Sequence, residues 1–107
     1  MKRYRVEFSR EALDDIERSF EWGRKEWGED AAIRWYRKLT YHTRNVLSVI
    51  PLAQPIAQES RKANREIRHL MFGRYRILFE VEGKLVKVFH VKGAYTGRDD
   101  SDLGMDL

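Results

Sequence analysis

The sequence predicts an α+β fold of order β-α-α-β-β-β, a helical hairpin packed on an antiparallel sheet. Three patterns predict it. Apolar residues recur at alternating steps of three and four between Ser9 and Pro51, the spacing of one helix face. They alternate in steps of two near the start and again after residue 65, the spacing of half-buried strands. Gly28, Pro51, Gly73 and Gly83 fall where the period changes.

Each element has its own justification. In Arg3–Phe8, Tyr4, Val6 and Phe8 alternate with Arg3, Arg5 and Glu7, a short strand. Ser9 is placed to cap a helix, and Glu11 suits its positive end. Leu13, Ile16, Phe20, Gly23 and Trp27 then form one stripe, and Gly28 stops the helix. Asp30 is expected to cap a second helix, with Ala32, Trp35, Leu39, His42, Val46 and Val49 on its apolar stripe and Pro51 as its end. So short a connection makes the two helices antiparallel. Residues 51–64 hold both prolines and read as a connecting loop. Three strands follow, Arg65–Phe72, Arg74–Glu82 and Lys84–Val91, as a meander. Tyr75, Ile77, Phe79 and Val81 share one face of the middle strand, and Arg74, Arg76, Leu78 and Glu80 share the other. Residues 1–95 are expected to form a single domain, with the acidic tail 96–107 frayed.

Composition narrows the function. The chain has 107 residues, 42% of them apolar, enough for one core. No stretch approaches the ~20 apolar residues of a membrane span, and the opening MKRYRVEFSR lacks the apolar run of a signal peptide. With no cysteine there are no disulfides, thiolate nucleophiles or Cys-based zinc sites. A cytoplasmic setting without membrane attachment is the expectation. The net charge of +4 is unevenly spread: residues 31–98 carry 14 Lys/Arg against 4 acids, while residues 99–107 carry 4 acids and no base. Such a field favours polyanions, acidic protein segments or phosphates. The three histidines, His42, His69 and His90, have no metal-ligand spacing, and no Gly-rich phosphate cradle or nucleophile elbow is present. No metal or cofactor is expected.

Three segments, YRVEFSREALDDIERSFEW, AIRWYRKL and REIRHLMFGRYRILFEVEGKLVKVFHVKG, together resemble the RelE/ParE superfamily of toxins from bacterial type II toxin–antitoxin systems, over about residues 4–95. The resemblance implies a small growth-inhibiting toxin neutralised by a cognate antitoxin. Its targets divide into two classes. ParE-like members inhibit DNA gyrase, the reading preferred here, and RelE-like members are metal-independent endoribonucleases that cut mRNA on the ribosome.

For a RelE-like nuclease, Arg76 matches the arginine of the family's "YR" strand motif, which contacts the scissile phosphate; a guanidinium can hold phosphate bidentately and stabilise developing charge. ParE-like members carry this arginine too, and it can equally anchor the sheet. His90, near the end of the last strand, is the candidate general base and Tyr95 the candidate phenol. Arg61, Lys62, Arg65, Arg68, Arg74 and Lys92 are candidates for phosphate or nucleic-acid contacts, or else a solvated basic edge. On the third-to-last strand, Arg68 and Leu70 are phased to one face and Ile67, His69 and Met71 to the other, and His69 is expected toward the helices. His42 is expected in the core. Trp22 falls off the first helix stripe and marks a candidate partner-binding patch, for antitoxin or gyrase. The ending VFHVKGAYTGRDD departs from the usual nuclease arrangement, which weighs toward gyrase inhibition.

Overall fold

The computed structural model describes residues 3–93. Tyr95 and the acidic tail lie outside the described residues. β1 (Arg5–Phe8) leads into α1 (Arg10–Trp27) and α2 (Glu29–Leu47); a short helix, α3 (Glu59–Ala63), then precedes β2 (Arg68–Phe72), β3 (Tyr75–Glu82) and β4 (Leu85–Lys92). The sheet order is β1-β4-β3-β2. β2, β3 and β4 form the antiparallel meander, and β1 joins as a parallel neighbour of β4, with Val6 opposite Val86 and Phe8 opposite Val88. A parallel pair needs a long crossover, and the α1–α2 hairpin with the segment after it belongs to that crossover.

Local chemistry explains the helices. Ser9 caps α1: its hydroxyl accepts the Ala12 amide at 3.1 Å, as its position in the sequence predicts. Gly28 alone separates the helices, ending α1 by donating to the Arg24 carbonyl and opening α2 with its own carbonyl. Its φ of +99° explains the glycine. This corrects the expected Asp30 cap: α2 begins at Glu29 and has no side-chain cap, because the one-residue joint leaves no room for one. α2 also ends at Leu47, before Pro51, which instead starts a single 3-10 turn.

The core lies between the hairpin and one sheet face. Leu39, Leu47, Ile77, Phe79, Val86 and Val88 are fully buried in it, joined by Tyr75 and, at its margin, Val81. The expected stripe of α2 is borne out at Ala32 and Leu39, and His42 sits half-buried with its ring 5.5 Å from Phe72. The expected stripe of α1 is offset: the buried line runs through Ala12, Asp15, Ile16, Ser19 and Gly23, leaving Leu13 and Trp27 about half exposed. Small side chains, not the largest apolar ones, face inward there, so hydrophobicity alone misplaces the stripe.

The connection read as a loop is the largest departure. Residues 51–64 contain the 3-10 turn and α3, and this segment folds back onto the second sheet face. Ala57, Ile67 and Leu78 make a small second core there with Phe89 against it. The Ser60 hydroxyl accepts the Ile67 amide at 2.6 Å and donates to its carbonyl at 2.8 Å, while the Ala57 and His69 amides donate to the Ile67 and Pro55 carbonyls. Those bonds hold residues 65–67, expected as strand, outside the ladder. Asn64 closes α3 in the left-handed conformation, φ +56°.

Candidate functional site

The sheet face opposite the hairpin brings two of the predicted residues together, Arg76 and Lys92. Met71 lies across from Arg76, and Lys92 across from Arg76 on the other side, so the three share this face. His69 lies across from Leu78 and is therefore on the same face, not toward the helices as expected. The alternation of β2 decides this: Leu70 enters the main core, which turns His69 outward.

α3 places Glu59 over Arg76. The two guanidinium nitrogens donate to the two carboxylate oxygens at 2.8 Å each, a fork-to-fork pair. Lys92 adds its ammonium at 3.5 Å from the same carboxylate. Chiefly the Arg76 hydrogen bonds hold the Glu59 carboxyl down to about 2, against the opposing cost of burial. His69 brings Nδ1 to 3.5 Å from Arg76. Burial first, then the neighbouring guanidinium, lowers its pKa, with Glu59 pulling the other way. At neutral pH this is a neutral imidazole beside a neutralised arginine.

The other predicted residues scatter. Arg65 pairs with Glu80 at 3.1 Å and lies over the Phe89 ring. Arg68 emerges on the helix side of the sheet edge, donates to the Gln54 carbonyl at 2.6 Å and pairs with Glu66, away from Arg76. Arg61, Lys62 and Arg74 are exposed and make no ion pair among the described residues. Trp22 is partly exposed and meets Trp27 edge to face, ring centroids 5.3 Å apart, above a shallow depression lined also by Asp14, Glu17, Arg18 and Glu21.

His90 does not join Arg76. β4 bulges at Phe89: Val88 faces Phe79 and His90 faces Leu78, leaving Phe89 unpaired. The His90 ring turns to α1, where Nδ1 lies 3.0 Å from the Asp15 carboxylate. The same carboxylate oxygen accepts the Val91 amide at 2.9 Å, and Asp15 also pairs with Arg18. Asp15 thus pins α1 to β4 beside the bulge, and the Ser9 hydroxyl donates to the Phe89 carbonyl at 3.3 Å. Sequence reasoning missed both Asp15 and Glu59. Asp15 had one signal, a carboxylate on the line of Ala12, Ile16 and Ser19; Glu59 had none, since a five-residue helix leaves no periodic trace.

A catalytic pair for phosphodiester cleavage needs a free cationic group and a base converging on one phosphate. Here each candidate has its own carboxylate on a different helix. The family model described as the ParE toxin of type II toxin–antitoxin system, parDE, matches residues 6–94. The chain belongs to the ParE toxin family. As a toxin of a type II system it has a cognate antitoxin as partner, and the RelE alternative is not favoured. Among solved structures, a chromosomal ParDE TA system from P. aeruginosa superposes with a TM-score of 0.71 at 14% identity, covering 84% of this chain and 95% of that one. At that identity the likeness speaks for the fold, which this ParE-family toxin shares. No curated protein matches the chain. No helix among the described residues is long and apolar enough to cross a membrane.

Proposed function

We propose that this ParE-family toxin arrests growth by binding and inhibiting DNA gyrase, without cleaving RNA. The observation that carries the proposal is the pairing of Arg76 with Glu59. A phosphate entering that fork must displace a carboxylate held ionised to about pH 2, and the anion repels it until then. His69, the one imidazole beside Arg76 among the described residues, faces the same carboxylate. His90 is turned away to Asp15. Arg76 therefore serves to fasten α3 to the sheet, and toxicity rests on contact surface. The antitoxin, in the same proposal, is an acidic amphipathic segment that orders on binding. The groove between α1 and α2 lined by Leu13, Ile16, Phe20, Ile33 and Tyr36 offers it apolar anchors.

The test combines three measurements on the intact toxin: DNA supercoiling by purified gyrase, integrity of mRNA on translating ribosomes, and growth on induction. Gyrase inhibition with intact mRNA is the expected result. Arg76→Lys and His90→Asn, with circular dichroism to confirm folding, should leave mRNA intact as the parent does. Site-specific mRNA cleavage by the parent, lost in a folded His90→Asn, would overturn the proposal in favour of the nuclease.

A further inference from the structure

Positive charge that is left unneutralised gathers on a different surface, the outer face of α2. Arg34, Arg37, Lys38, Tyr41 and Arg44 are all exposed. At about 100° per residue they fall within roughly 120° of the helix circumference. The buried line Ala32, Leu39, Thr43 and Leu47 lies on the opposite side. Arg34, Arg37 and Lys38 make no ion pair among the described residues, and Arg44 uses one N–H on the Val6 carbonyl at 3.2 Å while its plane lies over Phe8. Residues 31–58 contain no Asp or Glu; the one acid of α2 on this face is Asp30, one turn before Arg34 at the start of the helix, so the field is unopposed from Arg37 onward and only its N-terminal end is partly screened. Tyr75 packs on Trp35 and Phe72 on His42, which brings the turn carrying the exposed Arg74 alongside the same helix.

We infer that this face of α2 is a binding surface for the phosphate backbone of duplex DNA. Arg34 to Arg44 covers about 15 Å along the axis, a length that at about 3.4 Å per phosphate spans roughly four successive phosphates of one strand. Three of the four cations are arginines, whose planar forks match phosphate oxygens. Tyr41, 70% exposed at the centre, supplies a hydroxyl donor and a ring to lie against sugar. Arg37, Lys38, Thr40, Tyr41 and Arg44 line a shallow depression without an aliphatic anchor. An acidic amphipathic peptide needs such anchors, and they lie in the separate groove of Leu13, Phe20 and Ile33. DNA backbone needs only charge and donors. The inference goes beyond the gyrase proposal and stands without it, since the isolated toxin is expected to bind DNA by itself.

The experiment is fluorescence anisotropy of the full chain with a labelled duplex of about 20 base pairs, titrated at several salt concentrations, in the absence of gyrase. Four phosphate contacts predict a log–log salt slope of about −3 to −4. The variant R34Q/R37Q/K38Q should bind at least ~10-fold more weakly at low salt and reduce the slope to about −1. R5Q/R24Q/K87Q removes the same net charge from cations that already pair with Glu7, Glu21 and Glu82. It should stay within about threefold of the parent, because those charges are locally compensated. Any of four results overturns the inference: no duplex binding at low salt; an unchanged R34Q/R37Q/K38Q; equal losses in the two variants, which would reduce the effect to net charge; or displacement of the duplex by poly-glutamate of equal charge at equal concentration, which would make an acidic protein segment the occupant.

Discussion

On the open face of the sheet, Arg65, Arg76, Lys87 and Lys92 each meet a glutamate, whereas along α2 Arg34, Arg37 and Lys38 meet none. The two regions contribute comparable numbers of cations to the excess in residues 31–98, yet they do different work. All four acids of that stretch, Glu59, Glu66, Glu80 and Glu82, lie in or beside the sheet and its covering segment. They turn the neighbouring cations into fasteners. Along α2 the cations hold nothing in place, apart from Arg44 at its C-terminal end, and their charge remains available to a partner. A patch of basic sequence thus says where positive side chains are, and only the placement of acids says where positive potential is.

If the carboxylates that engage the sheet are structural, removing them should cost stability, and Asp15, which reaches β4 from α1, should show the largest effect. Asp15→Ala strands the Val91 amide and frees His90 and Arg18 at once. A loss of about 2–3 kcal/mol in chemical denaturation is expected, from an unsatisfied buried donor together with charged hydrogen bonds. A loss below about 0.5 kcal/mol would show that Asp15 does not pin α1 to β4.

The Arg76–Glu59 pair comes next. Both side chains are one-quarter exposed, so solvent screens part of the interaction. A double-mutant cycle of Arg76→Met and Glu59→Gln should give a coupling energy of about 1–2 kcal/mol. The same pair sets a pH dependence. The Glu59 carboxyl is held at about 2 in the folded protein against an ordinary 4.5, so the unfolded chain takes up a proton first as pH falls. Stability from this group is complete above about pH 4.5 and is lost on acidification toward pH 2, by an amount on the order of 1–2 kcal/mol. His69 acts in the same direction at higher pH. Its folded pKa lies below 6.5, so acidification through 6.5 protonates the unfolded chain first and again favours unfolding. Glu59→Gln should remove the lower window and keep the upper one, as read from denaturation midpoints across pH.

These contrasts also show what a sequence makes legible. The order of the main elements could be read because long periodic segments report their helix or strand period even where, as in α1, the buried line is offset from the apolar stripe, and because Ser9, Gly28, Gly73 and Gly83 carry turn and cap chemistry in their identities. The acid-free run of α2 was equally visible, since it needs only counting. α3 was hidden by its length, and by two prolines that suit a loop as well as they suit a 3-10 turn and an edge. The site was hidden by distance. Arg76 meets a carboxylate 17 residues away and His90 meets one 75 away, and nothing in either residue's local pattern names its partner. Arg76 and His90 thus lie on the strands where the alternation puts them, and their carboxylate partners come from helices that the local pattern does not indicate.

The smallest expected effect sharpens the comparison most. R34Q/R37Q/K38Q should change stability by no more than about 0.5 kcal/mol, because exposed side chains with no ion pair have little to lose on truncation of charge. Within that range a slight gain is expected: like charges at i,i+3 and i,i+4 on α2 repel one another, by a few tenths of a kcal/mol per pair, and glutamine is nearly as good a helix former. Denaturation of parent and variant at low and high salt separates the two contributions. Salt should stabilise the parent slightly more than the variant, since it screens a repulsion that the variant lacks. A loss of more than 1 kcal/mol would mean that the α2 cations, like those of the sheet, are held by partners in the fold, and the distinction between the two surfaces would collapse.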